Sequence, residues 1–133
     1  MNTTKRHIDH AIQTHFENSR QVLLLMGARQ VGKTTLLKRL FPDATYFLLD
    51  YEPVRKNFET YDINSYRQFL PRIQRKIVLD EIQLLSDPGR AAKIIYDQMP
   101  EIQLIITGSS ALNIKNKTSE SLAGRKTDYH LYP

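Results

Sequence analysis

The chain has 133 residues, 41% of them apolar and 25% charged, with no cysteine and a formal net charge of +5. That length supports one domain with one real core, and the lack of cysteine excludes a disulfide framework, a thiol nucleophile and a zinc–cysteine site. No stretch approaches the length of a membrane span and the charged N-terminus has no signal-peptide core, so the expectation is a cytoplasmic protein with no membrane partner.

In chain order, Ile8, Ala11, Ile12, His15 and Phe16 fall on one helical face and predict an N-terminal amphipathic helix. His15 reads as a packed boundary residue, and His7, His10 and His130 form no metal spacing. Four apolar runs follow: "QVLLLM" (21–26), "ATYFLLD" (44–50), "KIVLDE" (76–81) and "IQLIITG" (102–108). Each is short and nearly continuous, the pattern of strands buried on both faces. Helical patterns lie between them. "KTTLLKRL" begins after Gly32, Asp62 caps a segment carrying Ile63, Tyr66, Phe69 and Leu70, and Asp87 precedes Pro88 at the start of another. "TDYHLY" (127–132) alternates like an edge strand. Strand alternating with helix predicts an α/β fold with a mainly parallel sheet covered on both sides.

Gly27-Ala28-Arg29-Gln30-Val31-Gly32-Lys33-Thr34 matches G-x-x-x-x-G-K-[ST], the Walker A phosphate loop, with Thr35 next in the helix. Backbone amides must wrap a polyphosphate, and that curvature needs residues without Cβ clashes at Gly27 and Gly32. The helix beginning at Lys33 points its free amides and dipole at the anion. Lys33 brings a mobile positive charge to the β- and γ-phosphates, and the Thr34 hydroxyl is a hard ligand for Mg²⁺. Arg29 and Gln30 are either exposed loop residues or further phosphate contacts.

"KIVLDEIQ" puts Asp80 and Glu81 at the carboxyl end of a strand, the edge where ligands bind in open α/β sheets. Asp80 suits Mg²⁺, and Glu81 suits the base that polarises an attacking water. A GTPase would carry D-x-x-G here, whereas Asp80 is followed by Glu81, Ile82 and Gln83. It would also carry N-K-x-D, whereas "NKTS" (116–119) has Ser119 in place of the aspartate, so ATP is the expected nucleotide. "LIITGSSALNI" brings Thr107, Ser109 and Ser110 to a third strand end, where a polar group either contacts the water or the γ-phosphate or, for Thr107, makes an ordinary strand-end hydrogen bond. Arg125 in "SLAGR" is a candidate for transition-state charge stabilisation, within the chain or from a neighbouring copy, or else a surface cation near a glycine turn. Asp50 either faces the ligand edge or caps the following helix.

Together "GARQVGKTTLL", "FLLDYEP", "IVLDEIQLL", "IITGSSALNI" and "ESLAGRKTDYHLYP" resemble the AAA-type ATPase domain of bacterial and archaeal proteins that usually carry a further C-terminal domain of unknown function. The resemblance covers nearly the whole chain, read as one domain over residues 1–133. It implies a three-layer α/β/α P-loop fold with a five-stranded sheet of order 5-1-4-3-2. It further implies Lys33 and Thr34 on ATP and Mg²⁺, Asp80 and Glu81 in hydrolysis, a polar sensor within Thr107 to Ser110, and Arg125 at the family's Gly-Arg position. Family members generally continue past the "LYP" segment, so the chain reads either as the ATPase core of a longer protein or as a truncated remnant, with a protein partner or second domain lying elsewhere. Three functions compete: an Mg²⁺-dependent ATP hydrolase, a nucleotide-dependent binding switch with little turnover, and a DNA- or RNA-binding module with incidental ATP binding. The basic balance motivates the last, although its lysines and arginines are scattered among acids and also read as a solvated surface.

Overall fold

Successive side chains on a strand point to opposite faces of the sheet, and here each face has its own apolar set. Val22, Leu24 and Met26 of the first strand join one core, while Leu23 and Leu25 join another. The computed structural model describes residues 3–28, 32–70, 75–109 and 122–132. Its elements run α1 (Thr3–Gln13), α2 (His15–Asn18), β1 (Val22–Gly27), α3 (Lys33–Leu40), β2 (Thr45–Leu48), α4 (Glu52–Phe58), α5 (Ile63–Phe69), β3 (Lys76–Asp80), a 3₁₀ turn (Ile82–Leu84), α6 (Pro88–Gln98), β4 (Gln103–Gly108) and β5 (Lys126–Leu131).

The five strands lie in the order β2-β3-β4-β1-β5, and every pairing is parallel. Read from the other edge this is the expected 5-1-4-3-2. Ile12, Leu36, Leu37 and Leu40 cover one face against Leu23, Leu25, Val78 and Ile105. Phe58, Tyr66 and Ile95 cover the other against Leu24, Leu79 and Ile106. The result is three layers, α/β/α. Among the described residues, no helix is long and apolar enough to cross a membrane.

Both aspartate caps form as their positions predict: the Asp62 carboxylate accepts from the Ser65 amide, and the Asp87 carboxylate from the Arg90 amide. Four details differ from the sequence reading. The N-terminal helix is two pieces, because Thr14 leaves helical angles at φ −97°, ψ 4° and turns its hydroxyl back onto the His10 carbonyl. The run at 44–50 is not buried on both faces: β2 is an outer strand, and its residues are half-buried or exposed. Helix α4 was anticipated only as the helix following Asp50, without bounds, since its inward side rests on little more than Val54 and Phe58, too few positions for a clear period. Asp50 does not cap it; Tyr51 precedes the helix with no side-chain cap bond, and Pro53 stands in the first turn. His15 is packed as expected. Its Nε2 donates to the Gln21 carbonyl at 2.7 Å, and its Nδ1 accepts from the Tyr129 hydroxyl at 2.9 Å.

Tyr66 shows how the helical layer is tied down. It is wholly buried, its ring packs against Phe58 and Phe69, and its hydroxyl donates to the Phe58 carbonyl at 2.5 Å. Replacing Tyr66 by Phe spares the packing and leaves that carbonyl with only the long 3.5 Å bond from the Tyr61 amide; it is expected to lower the unfolding free energy by about 0.5–1.5 kcal/mol in urea denaturation. A variant as stable as the native chain would show that α4 and α5 are held by packing alone.

Candidate functional site

The parallel sheet delivers three strand ends to one edge. Leu25 of β1 pairs with Thr107 of β4, and Leu79 of β3 pairs with Ile106, so Asp80 and Thr107 emerge side by side. The loop after β1 returns through Gly32, whose φ of +86° is open to glycine and strained for other residues. Helix α3 starts at once. Its first bond of the helical ladder runs from the Leu36 amide to the Gly32 carbonyl at 2.9 Å, so the amides of Lys33, Thr34 and Thr35 lie ahead of it.

The two motifs meet at Asp80. The Thr34 hydroxyl donates to Asp80 Oδ2 at 2.9 Å, and the Thr107 hydroxyl donates to Oδ1 at 2.6 Å. Thr107 also accepts from the Glu81 amide at 2.9 Å. Lys33 is buried, with Nζ donating to the carbonyls of Gly27 at 2.7 Å and Ala28 at 3.2 Å. Burial lowers the lysine's pKa, and the charges of Glu81 and Asp80 work against that shift.

After Asp80 the backbone turns sharply. Glu81 takes the left-handed conformation at φ 63°, ψ 54°, which costs a non-glycine residue about 1–2 kcal/mol. The bond from its amide to Thr107 and the 3₁₀ turn behind it hold it there. Its carboxylate Oε2 accepts from Gln83 Nε2 at 2.5 Å.

Lys33, Thr34, Asp80, Glu81 and Thr107 are therefore brought together with Gly27, Ala28 and Gly32. Arg29, Gln30, Val31, Ser110 and the "NKTS" segment lie outside the described residues. Thr107 is wholly buried at its strand end, with its one hydroxyl hydrogen donated to Asp80. One candidate falls elsewhere. Arg125 is not at the site of its own chain. Its carbonyl accepts from the Val22 amide, at the start of β1, and its Nε pairs with Asp97 at 2.9 Å. The phosphate loop begins five residues further along β1, roughly 16 Å at strand spacing. Sequence reasoning overlooked Gln83 and Tyr46. Tyr46 is pushed up to about 12 by burial and by the charge of Asp80.

The donor set suits a hard divalent cation, since a hydroxyl and a carboxylate oxygen stand 2.9 Å apart. Among the described residues no cluster of three or more His, Cys, Asp or Glu could hold a metal by itself. Two protein oxygens completed by phosphate and water is the Mg²⁺ pattern rather than an all-protein cage.

Residues 19–133 match the family model described as AAA domain. The chain belongs to that family. An uncharacterized protein of Methanocaldococcus jannaschii is 30% identical, the match covering 92% of this chain and 28% of that protein. One from Mycobacterium tuberculosis is 33% identical, covering 78% of this chain and 23% of that protein. The chain thus spans about a quarter of the length of these relatives, 28% and 23%. Among solved structures, a DNA replication initiation factor superposes with TM-score 0.60 at 16% identity, over 97% of this chain and 45% of that one. A structure of two coordinating Pif1 helicases on forked DNA gives 0.57 at 13%, over 95% and 43%. At such identities the likeness is one of fold.

Thr107→Val keeps the side chain's shape and removes both of its hydrogen bonds, leaving a buried carboxylate oxygen and an amide short of a partner. The expected loss is about 1–3 kcal/mol of unfolding free energy, with Thr107→Ser much closer to the native chain. A native-like Thr107→Val beside a destabilised Thr107→Ser would show that the methyl group, not the hydroxyl, is what the site needs.

Proposed function

We propose that the chain binds ATP with Mg²⁺ and hydrolyses it to ADP and phosphate. The observation that carries this reading is the 2.9 Å contact between Thr34 and Asp80, which joins the phosphate loop to the acid pair. Lys33 and the first amides of α3 would hold the phosphates, the ammonium exchanging its carbonyl contacts for phosphate oxygens. Thr34 and Asp80 would hold Mg²⁺, which when bound neutralises phosphate charge. Glu81, directed away from Asp80 by its left-handed backbone, would take a proton from the attacking water. Thr107 would act on both acids from behind, fixing one carboxylate and the other's backbone.

One observation favours a second reading, a nucleotide-dependent switch with slow intrinsic turnover. Arg125 lies at the far end of β1 and pairs with Asp97, so charge stabilisation by this arginine would have to come from a neighbouring copy. A domain elsewhere in a longer protein is the other possible supplier. A protein partner or second domain therefore belongs to the proposal. Nucleic-acid binding rests only on the net charge of +5 and takes third place.

Single-turnover hydrolysis and ATP affinity, measured with Mg²⁺, test the reading. Glu81→Gln is expected to keep ATP bound while slowing turnover by at least about 10²-fold. Lys33→Ala is expected to lose affinity as well. Native-like turnover in Glu81→Gln would remove Glu81 from the role of base.

A further inference from the structure

We propose that Gln83 is a water-positioning residue, holding the attacking water against Glu81. The proposal rests on the hydrolytic reading and adds a partner for the nucleophile.

The orientation of the Gln83 amide follows from its neighbour. An ionised carboxylate only accepts hydrogen bonds, so the group 2.5 Å from Glu81 Oε2 is Nε2. The carbonyl oxygen Oε1 is then directed away from that bond. It is buried and has no hydrogen-bond partner. An amide oxygen shut off from solvent normally finds a donor. Among the described residues, the other buried side-chain atom in this condition is the Tyr46 hydroxyl. Tyr46 feels the charge of Asp80, and Gln83 touches Glu81. The unmatched Gln83 oxygen thus falls beside Glu81, and Tyr46 stands on the neighbouring strand two residues before the one paired with Asp80.

The turn explains the placement. Glu81 is left-handed, the Leu84 amide donates to the Glu81 carbonyl at 3.1 Å, and the Leu85 amide to the Ile82 carbonyl at 3.1 Å. This tight turn folds Gln83 back onto the residue two before it. One amide thereby does two things: its nitrogen steadies one oxygen of the base, and its oxygen offers an acceptor next to that base.

An attacking water has two hydrogens to place. One is given to Glu81 and the other is held on Gln83 Oε1, which leaves a lone pair directed at the γ-phosphorus. The water oxygen forms the new P–O bond, and the bond from γ-phosphorus to the β,γ-bridging oxygen breaks with its electron pair going to ADP. The first proton ends on Glu81, and the second stays on the product phosphate.

The test compares the native chain, Gln83→Leu, Glu81→Gln and the double variant in single-turnover hydrolysis of Mg-ATP. Affinity for a fluorescent ATP analogue and thermal melting are measured alongside. Gln83→Leu is expected to slow turnover about 10²-fold with affinity and melting nearly unchanged, and to add almost nothing in the Glu81→Gln background, because both residues act on one water. Gln83→Met serves if the leucine variant melts lower. Native-like turnover in the Gln83 variants, or a full multiplicative loss in the double variant, would overturn the proposal while leaving the hydrolase reading intact. A loss of affinity or melting temperature in step with rate in both Gln83 variants would make Gln83 a structural brace and also overturn it. A native chain that binds ATP without turning it over would overturn the hydrolase reading first, and this proposal with it.

Discussion

The carboxylate of Asp80 is the group around which the site is organised. It is only 7% exposed, and a carboxylate so placed is tolerable when its oxygens are hydrogen-bonded and a cation is near. Thr34 supplies one bond from α3, Thr107 supplies the other from β4, and the ammonium of Lys33 lies close enough to feel its charge. These groups come from two parts of the chain remote from Asp80: Lys33 and Thr34 open α3, and Thr107 lies in β4. The sheet order β3-β4-β1 puts their three strands next to each other, and parallel pairing ends all three at the same edge. Apolar alternation builds the sheet, and the sheet makes one buried charge affordable.

The same arrangement explains why an unfavourable backbone persists at Glu81. A left-handed residue other than glycine needs support from its surroundings. The Thr107 hydroxyl supplies it by accepting from the Glu81 amide while donating to Asp80. One side chain therefore sets the position of both acids, though it is wholly buried. At the site, local rules are broken at Glu81 and in the unmatched oxygen of Gln83, while Tyr61 is a left-handed residue away from it.

Much of this was legible in the residues. The strand runs, the two aspartate caps and the phosphate loop carry strong local signals, because period, capping chemistry and glycine spacing are short-range properties. Sheet order is not short-range; it came from the resemblance to a known family, and the pairing agrees with it. What failed were inferences about surroundings. "ATYFLLD" is as apolar as a central strand, yet β2 lies at the edge, and nothing within the run encodes its neighbours. Arg125 stands beside a glycine turn as expected, but chain proximity to "LAG" says nothing about which end of β1 it reaches. Thr107 lies at the strand end where it was placed, but which partner its hydrogen takes there, Asp80, depends on the neighbouring strand. Gln83 was read only as a departure from the GTPase pattern. Its contact depends on the left-handed turn at Glu81, which no residue type there announces.

The central claim is that Thr34 and Asp80 form a cation site completed by nucleotide. Electron paramagnetic resonance of Mn²⁺, used in place of Mg²⁺, tests it most directly. The account predicts that the protein retains Mn²⁺ tightly only when ATP or a non-hydrolysable analogue is present, and that Asp80→Asn abolishes the retention. Tight Mn²⁺ binding without nucleotide, or retention unchanged in Asp80→Asn, would contradict it.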